Sequence, residues 1–228
     1  MATCFPTGSQ SGWFFSQETP PVPAVATLLS VAESLNHAAN TNDIQAIRNA
    51  IQSKADLNAK DKKGLTAMIW ASFKNNTEIV QILIENRADV NVVGTRGNTA
   101  LITASQAGRS QILKLLIEAK ADVNAKTDNG ASGLTFAAAD GHTDVVRILL
   151  QAKADVAQRV ANGYTALMLA ANNGKTDIVQ LLLEYGADPT AVGKDGTTAL
   201  ELASTNKHSK IVQLLTSKDH RDEVNTDL

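Results

Sequence analysis

A 33-residue period is the feature that most constrains how this chain of 228 residues can fold. Two independent positions keep the period through five successive units: a glycine, and an aspartate that follows an alanine. A fixed period of this length indicates stacked supersecondary units, each of which buries its apolar face against its neighbours, so the length does not require two domains. The glycines are Gly64, Gly97, Gly130, Gly163 and Gly196, and the aspartates are Asp56, Asp89, Asp122, Asp155 and Asp188.

Within one unit the residue types predict two short helices. Thr165 follows a turn glycine and precedes an alanine-rich apolar run, so we expect its hydroxyl to cap the first helix. Gly174 ends that helix, and residues 176–184 carry apolar side chains at the spacing of a second helix. Gly186 closes the unit and a turn leads to the next one. Because the first helix is rich in small alanines, we expect the stack to curve with the first helices on its concave face.

These residues resemble the ankyrin repeat family, whose pattern is Gly-x-Thr-Pro-Leu-His, a Gly-His turn, Ile-Val-x-x-Leu-Leu and a Gly-Ala-Asp-Val-Asn exit. The segment GYTALMLAANNGKTDIVQLLLEYGADP, residues 163–189, carries this resemblance. It implies an all-α solenoid of stacked helix-turn-helix units with projecting β-turn or hairpin loops. The implied domains are an irregular leader at 1–27, an ankyrin repeat domain at 28–218 and a polar tail at 219–228. The repeats are a degenerate capping repeat at 28–60, then 61–93, 94–126, 127–159, 160–192 and a C-terminal repeat at 193–218.

Departures from the family pattern concern the start of the first helix. Alanine replaces the proline in four units and Gly133 replaces it in the unit 127–159, so the first turn of the helix is less preorganised. The family's histidine, which ties this helix to the hairpin, is also replaced. We therefore expect the unit 127–159 to be the softest. The residues at the histidine position are Ile69, Ile102, Thr135, Met168 and Glu201.

Two periodic polar rows have a structural and a functional interpretation. A basic residue follows the second helix in four units. Its charge complements the helix dipole and offsets part of the cost of a left-handed backbone at a residue other than glycine. The alternative interpretation is a docking stripe for an acidic partner or phosphate. The aspartates, with three asparagines, suit repeated turns better than metal or acid-base chemistry, which is needed only once. The resemblance also makes Asn91 and Asn124 acceptors for an asparaginyl hydroxylase, if the host has one. The basic residues are Lys54, Arg87, Lys120 and Lys153, and the asparagines are Asn58, Asn91 and Asn124.

Composition excludes several functional classes. The 21 basic and 23 acidic residues give no electrostatic case for a nucleic acid partner. No apolar run reaches the length of a membrane helix, and the start of the chain shows no secretory signal, so we expect a cytoplasmic protein. The single cysteine, Cys4, excludes a disulfide framework. The four histidines have no zinc or triad spacing, so we expect no catalytic residues, metal or cofactor. We also expect the protein to be a monomer by itself.

Partner binding is the function that remains, and the resemblance places it at the hairpin tips and on the exposed side of the first helices. Phe73 stands out there, because its position in the other units holds small or polar residues. Trp70 falls at a position with large residues elsewhere, so we expect it to pack between repeats. The leading patch is Leu65 and Phe73, flanked by basic residues. The candidate partner-binding residues are Lys62, Lys63, Leu65, Phe73, Lys74, Arg96, Gln106, Asp128, Asp140, Arg159, Tyr164, Asn172 and Asn173.

The leader contains three adjacent aromatic residues, Trp13, Phe14 and Phe15, followed by three prolines. Three interpretations stay open: the aromatic residues cover the apolar end of the first repeat, dock a partner, or fold back into the protein's own groove. For the chain as a whole we expect a non-enzymatic scaffold that binds a protein partner. The alternatives are an inhibitor or regulatory subunit of an enzyme, and a secreted bacterial effector that docks a host protein.

Overall fold

The part of the chain that the structure describes is all-helical, with helices in pairs that are joined by tight turns. The computed structural model describes the backbone of residues 25–223 and the side chains of residues 33–217. Within these limits no strand is present, and isolated antiparallel bridges close two of the projecting loops. This confirms the predicted fold class. The helices are α1 (Val25–Thr41), α2 (Ile44–Gln52), α3 (Ala67–Lys74), α4 (Thr77–Glu85), α5 (Ala100–Gln106), α6 (Ser110–Glu118), α7 (Gly133–Asp140), α8 (Thr143–Gln151), α9 (Ala166–Asn172), α10 (Thr176–Glu184), α11 (Ala199–Thr205) and α12 (Ser209–Glu223), with a 3₁₀ turn at Thr95–Gly97.

A hydroxyl side chain fixes the start of each first helix from α3 onward. Each of these side chains accepts a hydrogen bond from the backbone amide three residues later, as predicted for Thr165. The bond satisfies one of the free amides at the helix start, so the cap sets the boundary without the proline of the family pattern. The capping residues are Thr66, Thr99, Ser132, Thr165 and Thr198.

The core runs through the stack without interruption. In α9 the buried side chains include Ala166 and Ala170, whereas the second helix α10 contributes larger ones such as Ile178 and Leu182. The first helices contact one another more extensively than the second helices do. This difference favours a curved stack with the first helices on the concave face, because small side chains let their axes approach closely.

The basic residues after the second helices adopt the left-handed conformation. Lys54, Arg87, Lys120 and Lys153 have φ angles of 58°, 63°, 67° and 64°, and Gly186 has φ 82° at the same position. Their side chains are exposed. The left-handed backbone that we expected at the end of these helices is confirmed.

The periodic aspartates and asparagines build and connect the turns. In each of five units the aspartate Oδ1 accepts from the backbone amide two residues later, at 2.8–2.9 Å. Asn58, Asn91 and Asn124 each accept from the amide of the aspartate one repeat later, at 2.8–2.9 Å. We call these three bonds the asparagine ladder; it stops where Ala157 takes the asparagine position. The turn interpretation of these residues is confirmed.

Close helix approach explains why a glycine begins α7. A Cβ atom on Gly133 would lie 2.6 Å from the Ser105 Oγ atom and 3.1 Å from the Leu101 Cδ2 atom, both of α5. Ser132 and Thr135 form a reciprocal capping box around this glycine. The softness that we expect of unit 127–159 stays a prediction. The presence of glycine at position 133 is explained by its close packing against α5.

The first and last helices extend beyond the repeat boundaries that were predicted from the 33-residue period. Helix α1 begins at Val25, before the predicted repeat boundary at 28, and α12 continues to Glu223, beyond the predicted boundary at 218. Terminal repeats are atypical because one of their sides has no neighbouring repeat to limit helix length. Residues 1–24 of the predicted leader, with its three aromatic residues, and residues 224–228 of the predicted tail lie outside the described residues.

Candidate functional site

The hairpin tips form a connected row along the edge of the first helices. In the tip before α3, Asp61 Oδ1 accepts from the amides of Lys63 and Leu65, both at 2.9 Å. This turn leaves Lys62 and Lys63 exposed and places Leu65 at the entrance to the groove. Successive tips share backbone hydrogen bonds, so their spacing is fixed by the main chain. These bonds join Thr95 N to Gly64 O, Asp128 N to Arg96 O, Ala161 N to Asn129 O and Lys194 N to Asn162 O.

An apolar recess of about 230 Å³ opens between the second and third repeats. Phe73 at its edge is 52% exposed, and its ring lies edge-to-face with Trp70 at a centroid distance of 6.5 Å. We call this feature the aromatic recess. It is lined by Leu65, Ile69, Trp70, Phe73, Asn98 and Thr103.

Trp70 joins the core to the aromatic recess. The half-buried indole packs against the core, as expected from its position in the period, but it also lines the groove. Its Nε1–H donates to Asp61 Oδ2 at 2.7 Å. Sequence reasoning missed this second role, because it depends on a carboxylate in the hairpin nine residues earlier.

Two lysines lie over the aromatic rings at the recess. Lys63 Nζ is 5.1 Å from the centroid of Trp70, and Lys74 Nζ is 5.7 Å from that of Phe73, both within the range of cation–π attraction. Lys62 instead pairs with Glu33 at 2.9 Å, and the hydrogen bond and charge of Glu33 raise the pKa of Lys62. Among the described side chains, no carboxylate lies within ion-pair distance of Lys63 or Lys74. Their charges are therefore available to an acidic ligand.

Two further recesses continue the groove on either side. One, of about 260 Å³, lies between the first and second repeats and shares Trp70 with the aromatic recess. The other, of about 410 Å³, lies between the third and fourth repeats and shares Asn98. The shared walls make one groove across four repeats. The first flanking recess is lined by Glu33, Asn36, His37, Asn40, Asp61, Lys62, Lys63 and Trp70, and the second by Thr95, Arg96, Asn98, Gln106, Thr127, Asp128, Asn129 and Phe136.

Asn36 is a groove residue that sequence reasoning missed. It is 2% exposed, and its Nδ2 donates to the carbonyls of Ala59 and Leu65 at 3.1 and 3.2 Å, while Oδ1 has no hydrogen-bond partner. In the first repeat it thus ties the first helix to the hairpin, the role that the family pattern gives to histidine. The equivalent position one repeat later holds the apolar residue Ile69. The polar side chain at position 36 is therefore the signal that could have identified Asn36 from the sequence.

Three of the predicted binding residues in the later repeats use their polar atoms within the stack. The Arg159 guanidinium donates to the carbonyls of Gly163 and Val192 at 2.8 and 2.6 Å. The Tyr164 hydroxyl donates to Asp195 Oδ2 at 2.7 Å. Asn173 donates to the carbonyl of Ala139 at 2.9 Å. These groups connect repeats, so they have less freedom to meet a partner than Phe73 has.

The other predicted binding residues lie at three places. Arg96, Gln106 and Asp128 lie together around the recess between the third and fourth repeats. Asp140 is exposed at the end of α7, and Asn172 at the end of α9 donates to the side chain of Asn173 at 2.8 Å. The structure thus groups Leu65, Phe73 and the nearby lysines into one patch and leaves the later positions apart from it.

Three observations concern other chemistry. Within the described residues, no three histidine, cysteine or acidic side chains are grouped to hold a metal ion. His142 Nε2 contacts the carbonyl of Gln106 at 3.0 Å, and His208 Nε2 contacts that of Asn172 at 3.1 Å, so both link neighbouring repeats. No helix in the described part of the chain has the length and apolar character needed to cross a membrane.

Comparison with known families agrees with the stacked helix pairs. A family model described as ankyrin repeats, in three copies, matches residues 35–127 and again residues 134–227. None of the curated proteins that were compared with the chain matches it in sequence. The two matched segments cover most of the chain and include the repeats that form the groove. The chain therefore belongs to the ankyrin repeat family.

Proposed function

We propose that this protein is a non-enzymatic scaffold that binds a protein partner in the groove centred on the aromatic recess. Ankyrin repeats are generally protein–protein interaction modules. The observation that carries the proposal for this chain is Phe73, half-exposed beside an apolar recess on a face whose equivalent positions are small or polar. Large, rigid side chains of this kind anchor interfaces, since they bury much area for little loss of entropy.

The surroundings of Phe73 favour a partner segment with an apolar anchor and acidic neighbours. The recess accepts an apolar side chain, and Lys63 and Lys74 hold unneutralised charge next to it. The backbone bonds between successive tips hold the groove in place, so little ordering is required on binding. An adaptor and an enzyme inhibitor would use the groove in the same way, and the identity of the partner separates these two functions.

Comparative capture from a lysate of the source cells tests the proposal. The immobilised full-length wild-type protein is compared with Phe73→Asp and with the control Thr205→Asp. Thr205 occupies the position of Phe73 in the last repeat, is exposed, and receives the same new charge. We expect at least one protein to be retained by the wild type and by Thr205→Asp and lost with Phe73→Asp, as mass spectrometry would show. The same set of retained proteins in all three captures would contradict the proposal.

A further inference from the structure

We propose that the chain's own leader occupies the aromatic recess when no partner is bound, with Trp13, Phe14 and Phe15 as the anchoring cluster. The inference rests on the proposed function, since the leader and the partner would use the same groove. The partner must then displace a tethered competitor, so the leader regulates access to the site.

The chemistry of the leader matches the recess. Trp13, Phe14 and Phe15 are the one run of three aromatic residues in the sequence, and Glu18 is the one charged residue among residues 1–24. The recess presents apolar walls and a half-exposed Phe73. Lys63 over the Trp70 ring supplies a positive charge that no described carboxylate neutralises.

The leader is long enough to reach the recess. Helix α1 begins at Val25, and Glu33, about 12 Å further along its axis, pairs with Lys62 at the neighbouring recess. The nine residues 16–24 are enough chain to span up to about 28 Å, at about 3.1 Å per residue. Of this reach, about 12 Å covers the length of α1 from Val25 to Glu33, and the remaining about 16 Å exceeds one repeat step of about 10 Å.

The order of residues in the leader also fits the order of the recesses. A chain that runs back from Val25 passes the recess between the first and second repeats before it reaches the aromatic recess. Glu18 lies three residues from Phe15, about 10 Å in extended chain, which matches one step between repeats. In the proposed arrangement, with the aromatic cluster in the aromatic recess, Glu18 is within reach of Lys63, whose charge no described carboxylate neutralises.

Tethering makes a weak contact sufficient. A short connection within the same chain gives an effective concentration on the order of millimolar, so a leader with modest affinity would still fill the recess most of the time. The apparent affinity of any competitor then falls in proportion to the fraction of open groove.

A peptide with the leader's own sequence, residues 9–20, is the probe for this inference. Its dye-labelled form is titrated with the full-length wild type and with a leader variant, Trp13→Ser/Phe14→Ser/Phe15→Ser, and anisotropy is recorded. We expect the peptide to bind the leader variant about tenfold or more tightly than the wild type, whose groove is already occupied. Adding Phe73→Asp to the leader variant should abolish this binding, and adding Thr205→Asp should not.

Three results would overturn the inference: equal binding of the peptide to both proteins, no binding to either, or binding that survives Phe73→Asp. A wild type that gains peptide affinity on dilution would also overturn it, because the occupant would then be a second copy of the chain. Partner capture by the leader variant separates the two proposals. If the variant still retains a Phe73-dependent partner while the peptide does not bind, the leader inference fails and the proposed function stands.

Discussion

Single side chains on the concave face either hold the hairpin tips or form the surface that a partner can meet. Asp61 illustrates the first role, since one carboxylate oxygen accepts from two turn amides and the other holds the indole of Trp70. Phe73 illustrates the second, because no hydrogen bond or hairpin fixes its exposed ring. Substitutions of these two kinds should therefore have opposite effects on stability and on binding.

The pair formed by Asp61 and Trp70 should be energetically coupled. Trp70→Phe keeps part of the packing but loses a hydrogen bond to a carboxylate, so we expect the free energy of unfolding to fall by about 1–2 kcal/mol. Urea denaturation of Trp70→Phe, Asp61→Asn and the double variant measures the coupling, which we expect to be about 1 kcal/mol. Strictly additive effects would mean that the bond adds nothing to stability.

Asp195 should titrate well below an ordinary aspartate. The Thr197 hydroxyl, then the Tyr164 hydroxyl and the Thr197 amide, donate to its carboxylate and lower its pKa from 3.8 to about 2. A lowered folded-state pKa stabilises the fold above pH 3.8, and this contribution is lost as the pH falls from about 4 to about 2. An NMR titration of the Asp195 carboxyl carbon should show this pKa, and Tyr164→Phe should raise it. An unchanged pKa in that variant would exclude a contribution from the tyrosine.

The repeating element is a helix pair with a hairpin, and much of it could be predicted because its determinants are local. Thr165 caps α9 and residues 176–184 form α10 as predicted, since the signals lie within a few residues of each boundary. The reason for Gly133 could not be predicted, because it depends on the Ser105 side chain 28 residues earlier in sequence and one repeat away in space. Nor did the period fix the helix ends of the terminal repeats.

Gly133→Ala should destabilise the protein although alanine favours helices. Alanine gains about 1 kcal/mol of helix propensity, but its Cβ would meet the buried Ser105 Oγ at 2.6 Å. Overpacking of this kind costs about 1–3 kcal/mol, so we expect a net loss in urea denaturation. Ser105→Ala removes the hydroxyl and should reduce the loss when it is combined with Gly133→Ala. A stabilised Gly133→Ala protein would show that α5 and α7 can move apart freely.

Ala157→Asn should extend the asparagine ladder by one repeat. The new Oδ1 would accept from the amide of Asp188, as Asn124 does for Asp155 at 2.9 Å. Because the site is exposed, we expect a gain of about 0.5–1 kcal/mol in the free energy of unfolding. Ala157→Gln, whose amide is one methylene further out, is the matched control and should gain less. Equal gains from both substitutions would argue against the ladder bond as the cause.

At the scale of the whole molecule, the stack presents a groove whose parts come from different repeats. Comparison of equivalent positions identified Phe73, because an exposed aromatic residue breaks a small or polar row. The same comparison assigned Trp70 to the core and passed over Asn36, whose contacts to the hairpin carbonyls are not visible in sequence. Side chains that face neighbouring repeats can be predicted from the period; those that bridge helix and hairpin cannot.

The affinity of a captured partner for the wild type and for Phe73→Ala, measured by calorimetry, tests the central claim most directly. We expect binding to weaken by about 1–3 kcal/mol, as for an anchoring side chain. The free energy of unfolding should change by about 0.5 kcal/mol or less, because the ring is half-exposed. Unchanged affinity together with a large loss of stability would place Phe73 in the core and contradict a binding groove centred on it.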